Sequence, residues 1–382
     1  SGLTDSANIR LHVFIAYDLT YNNTKPTDFT RVGEELRSQV DGIHFVDVRY
    51  VQAQIETLTG EKVIDPHEAE LFFTSGYAAM RNAVLYAAVQ RKMDYLLFLD
   101  DDEYPLAVTR AHDVALWSGQ PVLASHLKHI PNADITNGFH CGYISPIPHI
   151  RFNDTLTEAD FRMFIEAISN DIINWDNIAR VMRQGGVTYA DTDVLMRNAV
   201  AEVPEVNHCK FISGSNLCLN LTDPARVIPF YNPPGARGED TFLSTCLTDR
   251  KVLRIPIYAF HNGFSIYNYL LSGVLPTRLK PIAADSKQVA NRFYSACVGW
   301  VRYKPLLLYI TQREQYAQRI AEMRTKLTAS LPKISAYFGM KEFYRIKAEL
   351  NRYDCNVEAH YAQFIENRQV WAKLNAHLQQ GR

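Results

Sequence analysis

Asp94-Tyr-Leu-Leu-Phe-Leu-Asp-Asp-Asp-Glu103 is the stretch that most constrains this chain. A short, nearly continuous apolar run ending in three aspartates reads as a buried strand of the parallel-sheet kind with a strongly acidic carboxyl end. In open α/β sheets, ligands bind at the carboxyl ends of strands. Three adjacent carboxylates repel one another unless a cation compensates them, and hard divalent cations take oxygen ligands. The plainer reading is an acidic loop in which an aspartate caps the next helix.

The flanking sequence sets this strand in an α/β chain. Leu11–Tyr17 is a first strand, Asp28 caps a helix with apolar positions Phe29, Val32, Leu36 and Val40, and Ile43–Arg49 is a second strand. A helical region from Glu68 to Met93, interrupted near Ser75-Gly76, leads into the acidic strand. This alternation predicts right-handed crossovers and a parallel, Rossmann-like sheet. Past Pro105 the pattern predicts a helix over Leu106–Ser118, a strand over Pro121–Ser125 and a turn-rich loop or hairpin over Gly138–Pro148. Residues 157–203 read as a largely helical insertion or lid, and Lys210–Leu221 as a bend and a strand. The loop Pro233–Gly238 delivers Glu239-Asp240 to the start of a helix over Thr241–Thr248, and Val252–Phe260 is the last strand, ending at His261-Asn-Gly263. From Asp285 the chain reads as mixed-charge helices over 286–303, 306–331 and 342–378. The expected organisation is one domain over 1–284 and a helical region over 285–382.

Composition removes several classes. A formal net charge of −1 and a pI near 6.9 give no electrostatic footprint for nucleic acid. No apolar run approaches the ~20 residues of a membrane-spanning helix, and Leu11–Tyr17 looks like a strand rather than the core of a signal peptide. The 6 cysteines are scattered with no Cys-x-x-Cys, which favours a reduced protein without a zinc site. The expected location is cytoplasmic, with the inner face of the membrane as the variant. For the carboxyl-terminal helices, packing on the rest of the chain or dimerisation is the first expectation. The other use is peripheral membrane association, with Arg313, Arg319, Arg324 and Lys326 meeting anionic lipid.

A family resemblance appears when Gly76-Tyr-Ala-Ala-Met-Arg-Asn82 is read together with the acidic strand. A small-residue turn, Arg-Asn, a helix and an apolar strand ending Asp-Asp-Asp resemble the nucleotide-binding half of GT-A glycosyltransferases, most of all the inverting family 2. The resemblance implies a GT-A (Rossmann-like) domain that transfers a sugar from a nucleotide-diphosphate sugar to a hydroxyl acceptor, a glycan or glycolipid precursor in bacterial polysaccharide biosynthesis. It places Arg81 near the nucleotide base and makes the aspartates a DxD motif holding Mn²⁺ or Mg²⁺, with Asp102 on the metal and Asp100 or Asp101 toward the ribose. Asp100 is the second metal candidate. Gly238-Glu-Asp240 resembles the element whose aspartate is the general base, so Asp240 is the expected base and Glu239 positions the acceptor. Ile212-Ser-Gly-Ser-Asn216 falls where the family lines its acceptor and donor-sugar pocket, which makes Ser213 and Asn216 candidates. His261 stands where many such enzymes place a third metal ligand; imidazole suits Mn²⁺ better than Mg²⁺. Tyr17 and Asp47 fall where nucleotide contacts are expected.

Each residue also has a plainer use. Arg81 reads equally as a surface arginine, Glu239 and Asp240 as acids favoured at a helix start, His261 as a structural donor and Asp47 as the polar face of a strand. The resemblance spans residues 10–265 and leaves the carboxyl-terminal helices unmatched. The insertion at 157–203 departs from a minimal enzyme of this kind, and no Gln-x-x-Arg-Trp element of a processive synthase is present. The alternatives are a retaining GT-A enzyme, a non-catalytic nucleotide-sugar-binding module and a nucleotidyltransferase. The last is disfavoured because the loop after the first strand, Asp18-Leu-Thr-Tyr-Asn-Asn, has no glycine.

Overall fold

The structure is a computed structural model and describes residues 9–19, 23–74, 76–111, 114–169, 175–183, 186–262, 284 and 286–380. Among the sequence expectations, Tyr21, Asn22, Ser75, Gly263 and Asp285 lie outside the described residues. The chain is mixed α/β with a helical carboxyl-terminal region.

The first half begins with β1 (His12–Ala16), the short helices α1 (Pro26–Thr30) and α2 (Glu34–Arg37), and β2 (Gly42–Val46), which pairs in parallel with β1 from His12↔Gly42 to Ala16↔Val46. The single helix expected over 29–40 is thus two short ones, neither with a buried residue, so no core contact holds them as one. The second strand stops at Val46 rather than Arg49. Asp47 accepts the Tyr50 N–H at 2.9 Å and caps α3 (Val48–Gly60), so it is a helix cap and not the polar face of a strand. Asp65 and Glu68 form a capping box that starts α4 (Pro66–Phe73), with Pro66 in the first turn where its missing N–H costs nothing. The alanine-rich α5 (Gly76–Gln90) is buried on most of its surface, as a helix must be when it has sheet on one side and helices on the other.

The acidic strand is β3 (Tyr95–Phe98), followed by the two-residue β4 (Glu103–Tyr104). Leu106–Ser118 is not a helix: β5 (Leu106–Ala111) and β6 (Val114–Gly119) pair antiparallel, Val108 opposite Trp117. β-Branched Val108, Thr109 and Val114 favour the extended form, and Ala107 and Val108 pack with Cys141 and Tyr258. The segment expected as a strand over 121–125 instead starts α6 (Val122–His129), which inserts Val122 and His126 into the interior. Gly138–Cys141, expected in a loop, belong to β7 (Ile135–Cys141).

Further on come α7 (Glu158–Ile168), α8 (Trp175–Arg183), α9 (Thr192–Arg197), the short β8 (Ala201–Glu202), β9 (Glu205–Val206) and β10 (Cys209–Lys210), β11 (Leu217–Asn220), α10 (Glu239–Ser244) and β12 (Val252–His261). The main sheet runs β3-β11-β7-β12-β4, with β8 beside β12. It is mixed rather than parallel: β7 and β12 are parallel, while β11 runs antiparallel to both β3 and β7. Within the described residues β1 and β2 form a separate pair, and β1 is not hydrogen-bonded to β3.

The last helices are α11 (Lys287–Thr311), α12 (Tyr316–Phe338), α13 (Arg345–Cys355) and α14 (Val357–Gln380). α11 continues through Pro305, where a break was expected, with Leu306, Leu307 and Leu308 buried around the interruption. Packing does not follow the division at 284/285. Phe161, Phe164 and Ile165 of α7 share one core with Phe293 and Cys297 of α11, Leu327 of α12, and Phe343. Val370, Trp371 and Leu374 of α14 enter the core around α5, where Trp371 stacks on Phe72 at 6.0 Å and 1°. The first part of the expected insertion, α7 and α8, is therefore built into the carboxyl-terminal helices, while Val187, Ala190, Val194 and Leu195 pack with β5, β7 and β12.

The basic residues considered for lipid contact have partners in the protein: Arg324 on Asp354, Arg319 on Glu322, Lys326 on Glu166 and Arg313 over Tyr309. No helix among the described residues is long and apolar enough to cross a membrane.

Phe293 is fully buried, with Phe161, Phe164, Phe338 and Phe343 around it at 5.3–6.2 Å between centroids. Phe293→Ala is expected to cost about 3–5 kcal/mol in urea unfolding and to speed proteolysis within 158–183 as well as in α11. A loss below about 1 kcal/mol would show that α7 and α11 do not depend on a common core.

Candidate functional site

Arg81, on the first turns of α5, is the point where distant segments meet. Its Nη1 donates to the Gly214 carbonyl at 2.5 Å, its Nη2 stands 3.3 Å from Asp100 Oδ1, and its Nε stands 3.5 Å from Glu239 Oε1. The guanidinium lies over the Phe98 and Phe230 rings, 5.2 and 5.7 Å from their centroids, so two aromatic faces fix its plane. The end of β3, the turn before β11 and the start of α10 are thereby gathered around one cation.

Asp240 adjoins this group from α10. Its Oδ2 accepts the Gly214 N–H at 3.2 Å and its Oδ1 the Thr241 N–H at 2.7 Å. Gly214 thus serves both partners, its carbonyl on Arg81 and its N–H on Asp240. A Cβ here would sit 3.2 Å from Arg81 Nη2 and 3.5 Å from the Asp240 Cβ, so a glycine suits the close approach. Burial, and next the charge of Glu239, push the Asp240 carboxyl up to about 6. Asp100 is also raised, first by its surroundings, with Arg81 acting in the opposite direction. Gly238, at φ 100°, takes a conformation that side-chain-bearing residues rarely adopt and turns the chain into α10, setting Glu239 and Asp240 at its first two positions.

The four acids at the end of β3 differ sharply. Asp101 is exposed and Asp100 is half-exposed. Asp102 Oδ2 lies 3.3 Å from His261 Nε2, while the Asp102 carbonyl accepts the Asn262 N–H at 2.7 Å. Glu103, the acid that sequence reasoning passed over, has a side chain only 2% exposed. It accepts the Ser215 hydroxyl and lies 2.9 Å from His140 Nε2. Burial opposes its charge, but His140 and Ser215 outweigh burial and hold it below the ordinary glutamate range. Ser215 Oγ also accepts the Asp100 N–H at 3.0 Å, so Glu103 and Ser215 together anchor the acidic turn. The sequence carries only a faint signal for this: alternation in the short β4, paired His261↔Glu103 and Phe260↔Tyr104, separates the two side chains to opposite faces.

Ser213 and Asn216 take different roles. Ser213 Oγ receives the Asn137 amide at 3.1 Å and donates to the Ser215 carbonyl at 2.9 Å, beside the Arg81 group. Asn216 is fully buried at φ 48°. Its Oδ1 meets His126 Nε2 at 2.9 Å and its Nδ2 donates to the Phe139 carbonyl at 3.0 Å. His126, lowered by burial to about 4, is neutral there and bridges Asn216 to Thr136. Asn216 therefore braces the sheet and is not among the residues that line the cleft described below. Buried Asn137 reaches Ser213 and Asn216 together and is a second support that no motif announced.

Tyr17 and Asp47 lie apart from the Arg81 group and bind each other, the phenol donating to Asp47 Oδ2 at 3.0 Å while its ring stacks on Phe29 at 4.8 Å. They nevertheless line the same cleft of about 2170 Å³ as Tyr77, Arg81, Asp100 and Asp101. Arg81 and Asp100 stand at its boundary: Glu239, Asp240, Asp102 and His261 are not on its wall.

Asp102 and His261 have the donor types and spacing for one divalent cation. Two cis ligands on a six-coordinate ion lie about 3 Å apart, near the 3.3 Å found here. The buried His261 Nδ1 has no hydrogen-bond partner, so the ring is not held there as a structural donor. Among the described residues no group of three His, Cys, Asp or Glu converges on one point, so the remaining coordination would fall to water and substrate oxygens.

Removing Arg81 tests its role as the shared counter-charge. In Arg81→Gln the Gly214 carbonyl loses its charged donor, and the folded pKa values of Asp100 and Asp240 rise further above their unfolded values. A raised carboxyl costs stability where it is ionised and nothing below its unfolded pKa. Urea unfolding should therefore show a deficit of about 1–3 kcal/mol at pH 8 that shrinks toward pH 4. A deficit independent of pH would show that Arg81 acts by packing alone.

No protein-family model, curated protein or solved structure matches this chain.

Proposed function

We propose that the chain is a metal-dependent glycosyltransferase of the GT-A type, moving a sugar from a nucleotide-diphosphate sugar to a hydroxyl of a glycan or glycolipid precursor with inversion at C1. The observation that carries this reading is the meeting of Asp100, Glu239 and Asp240 around Arg81, beside the Asp102–His261 pair. An acidic strand end and a helix-start carboxylate, 140 positions apart by number, are joined through Arg81 and Gly214, and would supply the donor side and the base side of the reaction.

Each residue has a task in that reaction. Asp240 takes the proton of the acceptor hydroxyl as its oxygen attacks C1, and a carboxylate with pKa near 6 is a better base than an ordinary aspartate while still ionised at neutral pH. Arg81 partly offsets the repulsion between Asp240 and Glu239. Glu239 would orient the acceptor, and Tyr17 and Asp47, which line the cleft, would meet the nucleotide. Mn²⁺ or Mg²⁺ held by Asp102 and His261 would neutralise charge developing on the leaving diphosphate. The microbial, cell-surface context follows from the family resemblance alone.

A thermal-shift panel of UDP-, GDP- and CMP-sugars, each with and without Mn²⁺, tests the donor class. One donor should raise the melting temperature in a metal-dependent way. With that donor, Asp102→Ala should lose both transfer and the metal-dependent shift, whereas Asp240→Asn should keep the shift and lose transfer by about 10²–10⁴-fold. The wild-type kcat/KM should fall as pH drops through about 6, where Asp240 takes up a proton. Normal transfer by Asp240→Asn would exclude it as the base.

A further inference from the structure

Arg237 is a charged side chain at the mouth of the site that the reaction above leaves without a task. It is exposed and immediately precedes Gly238, Glu239 and Asp240. Its guanidinium carbon stands 4.9 Å from the Tyr77 ring centroid, and its Nη2 donates to the Tyr77 hydroxyl at 3.0 Å. Tyr77 is 55% exposed, lines the cleft and sits one turn before Arg81 on α5. Asn232 ties the two segments together: its Oδ1 accepts the Ala78 N–H at 3.0 Å, and its Nδ2 donates to the Pro233 and Ala236 carbonyls at 3.1 Å each. Arg237 is thus presented by a braced loop and steadied on an aromatic face.

What it lacks is an anion. Among the described residues no carboxylate lies within ion-pair distance of Arg237, although Glu239 and Asp240 follow it closely in sequence; it is Arg81 that takes Glu239 and Asp100. A bare surface arginine says little. Stacking on Tyr77 removes much of the side chain's freedom, and the planar fork keeps donors for a bidentate oxyanion, for which arginine is better shaped than lysine.

The geometry points to Arg237, steadied by Tyr77, as an oxyanion-binding residue for a phosphoryl group of the substrate. This rests on the transferase reading and sharpens it, because the phosphoryl group has two sources there: the diphosphate of the donor, or a phosphate carried by an anionic acceptor beside Asp240.

The test is equilibrium binding to the whole protein, comparing wild type, Arg237→Gln, Arg237→Lys and Tyr77→Phe, with melting temperature as the control for folding. The first arm titrates UDP, GDP and CDP, their nucleosides, and inorganic pyrophosphate. The second titrates glucose 6-phosphate and glucose into protein saturated with the nucleoside diphosphate that binds, or into protein alone where none does. Arg237→Gln is expected to weaken a phosphorylated probe by roughly tenfold or more while sparing its neutral counterpart, with Arg237→Lys and Tyr77→Phe in between. Weakening confined to the diphosphates and pyrophosphate assigns the donor. Weakening confined to the sugar phosphate assigns the acceptor. Equal affinities in wild type and Arg237→Gln for every phosphorylated probe, or no binding of any of them to wild type, overturn the proposal. If pyrophosphate binding depends on Arg237 while no nucleotide binds in any variant, the transferase reading fails and the oxyanion site stands. If nucleotides bind unchanged in Arg237→Gln and sugar phosphate does too, the reverse holds.

Discussion

A single guanidinium supports the arrangement at the acidic strand end. Asp100, Glu239 and Asp240 come from segments that would separate if only their charges acted, and Arg81 gives them a common counter-charge. Its position is itself over-determined: Phe98 and Phe230 hold its plane, the Gly214 carbonyl holds one nitrogen, and α5 is buried on most sides. A mobile arginine would let the carboxylates drift or protonate. A fixed one leaves Asp240 raised by burial but still within the range where it ionises near neutrality.

Around this centre the supporting residues are uncharged or paired. Glu103 with His140 and Ser215 fixes the acidic turn, Asn137 fixes the turn at Ser213, and Asn216 with neutral His126 locks the sheet behind it. Buried polar groups of this kind are costly unless satisfied, and here they determine one conformation of the strand ends. The exposed aspartates are thus carried on backbone that stays in place.

Much of this was legible in the residues, and the rest was hidden for identifiable reasons. The apolar run into Asp100 and the strand ending at His261 follow from local pattern and appear where that pattern puts them, while the helix expected over Thr241–Thr248 opens at Glu239 and stops at Ser244. Strand direction does not follow: Leu217–Asn220 reads as a buried strand either way, and only pairing shows that it runs against both neighbours. Leu106–Ser118 has enough apolar residues at both helical and alternate spacing to mislead, and the choice is made by packing on Cys141 and Tyr258. Which acid of a run turns inward is also invisible locally, so Glu103 passed unnoticed beside three aspartates. Asn216 sits in the expected turn, yet its left-handed backbone and buried amide make it a brace, a distinction that depends on His126 from a helix read as a strand.

The docking of α14 on α4, in the core that α4 shares with α5, has a consequence for how the molecule is made. Lys373 meets Glu68 across 305 positions, and Trp371 covers Phe72 in the same place. α4, and the core it shares with the Arg81-bearing α5, therefore keep an uncovered apolar flank during synthesis until α14 emerges from the ribosome. Contacts of such long separation close slowly and leave apolar surface open to aggregation meanwhile. Assembly of the acidic centre is thus tied to synthesis of α14, and a product that stops short of α14 would carry the residues of the site without the wall that steadies them.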